Sequence, residues 1–180
     1  MPNLSKLTGF LYISAMNYAI AVYTPEYKQS VIDLILPIQT EEFNVAITAG
    51  DQPDLKDIPG YYQHGAGNFW VAIIDNTVIG TIALSDIGHQ QGALRKMFVQ
   101  KNYRGKEYGV AQALLNTLLS WAKEKGLQEI FLGTTDKFHA AHRFYEKNNF
   151  HRVPVSSLPA DFSRMAVDSI FYKHSFKEPK

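Results

Sequence analysis

A strand, a basic glycine-bearing loop and a helix follow one another directly across residues 94–122, and this succession constrains the chain more than anything else in it. Residues 94–99 (LRKMFV) are short and largely apolar and end on Phe98-Val99, the pattern of a buried strand; the polar residues 100–104 close it. From Gly109 onward Val110, Ala113, Leu114, Leu118 and Trp121 recur at helical spacing, and Lys123 and Lys125 fall in the last turn before Gly126. Between strand and helix runs Arg104-Gly105-Lys106-Glu107-Tyr108-Gly109. Glycines let several backbone N–H groups converge on one point, the helix N-terminus adds a partial positive charge, and Arg104 and Lys106 add full ones. A phosphate or pyrophosphate suits such a loop.

The rest of the chain reads as one domain built around that unit. At 180 residues it is long enough to bury a proper core, and 46% hydrophobic with 19% charged residues is ordinary for a globular protein. A formal net charge of +1 gives no reason to expect nucleic acid or an anionic membrane as partner. With no cysteine there is no disulfide, no thiolate metal site and no cysteinyl acyl-enzyme, which is compatible with a reducing cytoplasm, the expected location. No charge appears between Lys6 and Glu26, yet Thr8, Gly9, Tyr12, Ser14 and Asn17 keep the stretch only moderately apolar. Residues 17–23 therefore read as the first strand, and residues 1–15 as an N-terminal extension of a single domain spanning 1–180.

Pro25-Glu26 opens a helix with Val31, Leu34, Ile35 and Ile38 on one face, continuing past Pro37 with a kink or restart. A loop-rich region follows, with a short second helix at 54–64. Strands at 69–74 and 78–86 flank Asp75-Asn76-Thr77, which is hairpin chemistry, and residues 88–92 turn the chain back into the 94–99 strand. Beyond the central helix come a strand at 129–133, a helix at 137–147 and strands at 150–154 and 168–176. The order β-α-α-β-β-β-α-β-α-β-β is mixed α/β, an antiparallel meander feeding a strand–loop–helix unit.

Two segments resemble GNAT superfamily N-acetyltransferases. The run from Val99 to Ala111 is similar to that family's acetyl-coenzyme A motif, whose loop pattern is [Q/R]-x-x-G-x-[G/A]; Arg104 and Gly109 fill its first and last places, and Glu107 stands where the family has its middle glycine. Downstream, His142-Arg143-Phe144-Tyr145-Glu146-Lys147-Asn148-Asn149-Phe150 resembles the family's F/L-Y-E-K-x-G-F segment, with Asn149 for the glycine. Asparagine is the next-best residue for a left-handed C-cap. Phe138 stands where relatives often carry asparagine, and Ala141 matches a small-residue position against the coenzyme.

The resemblance implies a mixed, mostly antiparallel central sheet flanked by helices, with strands splayed at the acetyl-CoA site. It implies acetyl-CoA as co-substrate and direct acetyl transfer to an amine of a small molecule, peptide or protein, and a homodimer is common in the family. By the same resemblance the cofactor-binding set is Met97, Phe98, Val99, Arg104, Gly105, Lys106, Glu107, Tyr108, Gly109, Val110 and Ala141. The N–H groups of Met97 and Val99 would meet the pantetheine arm and the acetyl carbonyl, and Tyr145 would be the general acid for the leaving thiolate.

The chemistry also needs a base, because an ammonium with a pKa of about 10.4 is not a nucleophile. Glu41, Glu42, Asp86, His64 and His89 are the candidates, with Glu42 the first choice. Arg95 and Lys96, beside Arg104 and Lys106, form a basic cluster suited to the coenzyme's phosphates. The GKEYG run is not a Walker loop, no G-x-S-x-G elbow is present, and His139 and His142 lack acidic or thiolate partners, so no metal is expected. The rival from another class is a non-catalytic acyl-CoA-binding sensor, and a third reading is a nucleotide-binding α/β protein. The loops 40–67 and 156–168 would wall the acceptor side, and they carry no recognisable code for the acceptor.

Overall fold

The computed structural model describes residues 10–13 and 17–177. Its strands are β1 (Phe10–Ile13), β2 (Ala19–Val22), β3 (Asn68–Ile74), β4 (Thr77–Asp86), β5 (Gln91–Val99), β6 (Glu129–Thr134), β7 (His151–Val153) and β8 (Ile170–Ser175). They form one sheet in the order β1-β2-β3-β4-β5-β6-β8-β7. Every neighbouring pair is antiparallel except β5–β6. The helices are α1 (Lys28–Pro37), α2 (Pro53–Lys56), α3 (Ile58–Tyr62), α4 (Val110–Glu124) and α5 (His139–Lys147).

The meander follows from its turns. Asp75 and Asn76 take φ values of 47° and 60°, left-handed at both central positions, which matches the twist of the two flanking strands. Gly88, His89 and Gln90 are left-handed as well and fold β5 back on β4. Side-chain alternation then sends the two faces of the sheet into different cores. On one face Ile79, Ile82, Leu84 and Leu94 pack with Leu114, Leu115 and Leu118 of α4 and Tyr145 of α5. On the other Phe69, Val71 and Ala83 pack with Val31, Leu34 and Ile35 of α1 and with α2 and α3.

Three details differ from the expectations. The segment expected only as an extension contributes β1, paired antiparallel with β2; residues 1–9 and 14–16 lie outside the described residues. Past Pro37, where a kink or restart was expected, the chain runs on as a π-helical turn, Ile38–Glu42. The single helix expected at 54–64 is two, because Asp57 accepts from Gly60 N and caps α3 afresh.

One irregularity positions the site. β5 and β6 pair in parallel only between Gln91–Ala93 and Glu129–Phe131. Past Ala93 the strands part, so the second half of β5 has β4 on one side and no strand on the other. A bulge lies just beyond the parting: Thr81 faces Phe98 and Ala83 faces Arg95, so Lys96 and Met97 together oppose Ile82. Lys96 takes a left-handed φ of 48°. Bulges bend and twist the strand that carries them, which accounts for β5 leaving its neighbour here.

Candidate active site

The open side of β5 offers backbone donors. The carbonyl of Lys96 accepts from Thr81 Oγ1 at 2.7 Å, toward β4. The intervening peptide is trans, so the Met97 N–H points the opposite way, into the gap. Gln100 N–H donates to Ile79 O on the β4 side, and strand alternation then turns the Val99 N–H to the gap as well. Phe98, between them, packs its side chain on the α1 face. Met97 and Val99 thus present two amides on one unpaired edge.

The gap leads to the basic loop. Gly105 and Gly109 take φ values of 115° and 67°, and Gly109 is the residue from which α4 starts. Val110 is fully buried against Gly80, which locks the helix N-terminus to the sheet. Tyr108 stacks edge-on with Tyr103. Around the loop is a cavity of about 1180 Å³, walled by Gly105 to Gly109, the outer face of α4, and Ala140, Arg143, Phe144 and Lys147 of α5. Ala140 lines it rather than Ala141, which packs half-buried against the core. Arg143 and Lys147 escaped the sequence reading, although their i, i+4 spacing on one face of α5 was there to find. With Lys106 they give the cavity three cations suited to phosphates.

Two loop residues hold unexpected partners. Arg104 donates from Nε to Val99 O at 2.8 Å and from Nη2 to Glu42 Oε2 at 2.9 Å, and its Nη1 contacts Glu42 Oε1. Hydrogen bonding to Arg104 holds the Glu42 carboxyl below its usual range, so it is a weaker proton acceptor than an unpaired glutamate. Glu107 lays its carboxylate over Gly105: a Cβ on that glycine would lie 2.8 Å from Glu107 Oε2.

Tyr145 is only 6% exposed, in ring contact with Phe144, Phe150 and Tyr172. Burial pushes its phenol well above the ordinary value, so it stays protonated. The remaining base candidates lie elsewhere. Asp86 is spent on Ala66 N and Gly88 N, each at 2.9 Å, and His89 stands exposed 4.0 Å from Asp161. Both sit at the end of β5 that stays paired with β6. Glu41 is exposed on the wall of a second cavity, beside α1, and His64 is exposed as well.

The four cations expected together at the coenzyme's phosphates are split between two places. Lys96 Nζ lies 3.3 Å from Asp54 Oδ2 and 2.7 Å from Gln52 Oε1, and Arg95 stacks 4.6 Å over Phe162, so both face the acceptor-side loops rather than the phosphate loop. His142 meets Thr135 O at 2.7 Å, and among the described residues no group of histidines and carboxylates could hold a metal.

A strand edge left open beside a basic loop and a glycine-started helix suits an extended ligand that carries phosphates, and the comparisons give the family in which this arrangement occurs. Residues 32–150 match the model of the acetyltransferase (GNAT) family. The chain belongs to that family, the acetyl-CoA-dependent N-acetyltransferases. It is similar to N-acetylaspartate synthetase of Xenopus tropicalis, 40% identical over 106 residues, covering 57% of this chain and 38% of that protein. The chain thus matches well under half the length of that relative. A solved acetyltransferase of the GNAT family from Staphylococcus aureus Mu50 superposes with a TM-score of 0.84 at 38% identity, over 89% of this chain and 99% of that one. PaiA N-acetyltransferase of Thermoplasma acidophilum, solved in complex with coenzyme A, shares the fold at 16% identity and a TM-score of 0.68, covering 89% of this chain and 100% of that one. Among the described residues no helix is long and apolar enough to cross a membrane.

Proposed function

We propose that the chain transfers the acetyl group of acetyl-CoA directly to the amine of a small molecule, with peptide and protein amines as the wider class. The observation that carries this is the unpaired edge of β5, with Met97 and Val99 amides facing a gap that leads to the basic loop. In this reading the pantetheine arm lies in the gap as an added strand. The Met97 N–H donates to the thioester oxygen and stabilises the charge that develops there when the amine attacks. Lys106, Arg143, Lys147 and the start of α4 hold the phosphates.

The acetyl carbon gains a C–N bond and loses its C–S bond, and the thiolate leaves. Tyr145 supplies the proton to that sulfur; its hydroxyl has no hydrogen-bond partner among the described residues and burial keeps it protonated. Glu42 takes the amine's proton through water, once a phosphate has drawn Arg104 away from it. Lack of cysteine fits work in a reducing cytoplasm. Release of free coenzyme A thiol with a panel of amines tests the proposal, and turnover that depends on the amine is the expected result.

A sensor that binds acyl-CoA without turning it over is the second reading. It is favoured by the ion pair that occupies Glu42 and by the depth of Tyr145. Saturable acetyl-CoA binding with no thiol release across the panel would support it.

A further inference from the structure

The bulge in β5 has a stereochemical consequence on the acceptor side. One extra residue breaks the alternation of side chains, so Arg95 and Lys96, consecutive in sequence, both face the α1–α3 side of the sheet beside the gap. Lys96 is neutralised there by Asp54, which also accepts from Tyr62 OH at 2.6 Å. Arg95 is not neutralised. Its guanidinium lies over Phe162 and donates to the carbonyl of Ser163, and among the described residues no carboxylate forms an ion pair with it.

Across the gap stands the opposite charge. Asp168 precedes β8 and leans on Gly133 of β6, where a Cβ would come within 2.4 Å of its Oδ2. It accepts one hydrogen bond, from Met165 N at 3.2 Å. Both groups are partly desolvated: burial lowers the proton affinity of Arg95 and raises that of Asp168, and each feels the other's charge. A desolvated charge short of partners is costly to keep, and two of opposite sign on facing lips of an open gap are satisfied together by a zwitterion.

We propose that the Arg95 and Asp168 side chains beside the gap bind the zwitterionic end of an α-amino acid, Arg95 taking the carboxylate and Asp168 the ammonium group, with the amine held at the mouth of the gap beside Met97. This rests on the acetyl-transfer reading and names its acceptor. The guanidinium fork matches a carboxylate with two parallel hydrogen bonds, which a carboxamide cannot reproduce. A lysine side chain of a protein brings an ammonium and no carboxylate, so it fills half the site.

The test titrates the coenzyme A-loaded protein with the common α-amino acids, each beside its α-carboxamide, and then assays acetylation of the same pairs. Expected is at least one amino acid with kcat/KM roughly 10- to 100-fold above its carboxamide, the range for a charge-assisted bidentate contact. Arg95→Gln should erase that preference through KM, and Arg95→Lys should restore part of it. Asp168→Asn should weaken acid and carboxamide alike, since both carry the ammonium. Carboxamides as good as the acids, or an unchanged preference in Arg95→Gln, overturn the proposal. Carboxylate-dependent binding without turnover supports the Arg95–Asp168 site and removes catalysis, whereas absence of acetyl-CoA binding removes both.

Discussion

The carboxylate of Glu42 and the guanidinium of Arg104 form a two-pronged ion pair that ties the π-helical turn after α1 to the loop entering α4. The pair joins the acceptor-side wall to the cofactor loop, and it occupies the arginine that the motif assigns to the coenzyme. Its side chains are 28% and 36% exposed, so its share of stability is at most about 1 kcal/mol. Because the Glu42 carboxyl is lowered on folding, that contribution is present at neutral pH and disappears as pH falls through the folded value.

Glu42→Gln should therefore lower the melting temperature slightly at pH 7 and not below the carboxylate range. If Glu42 takes the amine's proton, the same substitution should lower kcat roughly 100-fold with acetyl-CoA affinity unchanged or tighter. An unchanged kcat would remove Glu42 from the chemistry and leave it the partner of Arg104.

Glu107 is the loop's departure from its family, and its carboxylate lies over Gly105, in a loop that lines the cavity. A diphosphate arriving there meets a like charge. Glu107→Gly should tighten coenzyme A binding roughly 3- to 10-fold by calorimetry, and the gain should shrink as salt is raised. Weaker binding would mean that the side chain serves the loop in another way.

Tyr145→Phe removes a hydroxyl without a protein partner from a residue otherwise packed in the core, so the fold should be nearly as stable as wild type within about 1 kcal/mol. As proton donor to the thiolate, Tyr145 should be missed in kcat by roughly 100-fold, with acetyl-CoA affinity within about twofold. Equal loss of binding and turnover would assign it to packing alone.

Lys96 and Asp54 are 11% and 16% exposed, and the lysine also reaches Gln52. Lys96→Ala would leave Asp54 desolvated beside Tyr62 with its cation gone, and should cost about 3 kcal/mol in a denaturant titration. A loss under about 1 kcal/mol would mean that the cluster is far more hydrated than its burial implies.

Much of this was legible in the chain. The helical period from Val110 to Trp121, the Asp75-Asn76 turn and the glycines at 105 and 109 are local signals, and α4, the β3–β4 hairpin and the cofactor loop follow from them. The faces of Arg95 and Lys96 were not legible. A bulge carried by a left-handed lysine leaves no mark in LRKMFV, yet it turns the second cation off the alternating register and away from the phosphate loop. Nor did sequence show that Glu42 would pair with Arg104, since 62 positions separate them and only the packed fold brings them together. β1 went unread because Phe10–Ile13 is only four apolar residues, too short a run for periodicity to tell a strand from an extension.

Hydrogen exchange at single amides tests the open edge of β5 most directly. Met97 and Val99 amides, facing the gap, should exchange readily in the free protein and slow at least 10-fold on saturation with acetyl-CoA. Phe98 and Gln100, already bonded toward β4, should change little. Saturated binding that leaves Met97 and Val99 exchanging as before would place the coenzyme elsewhere and contradict the account.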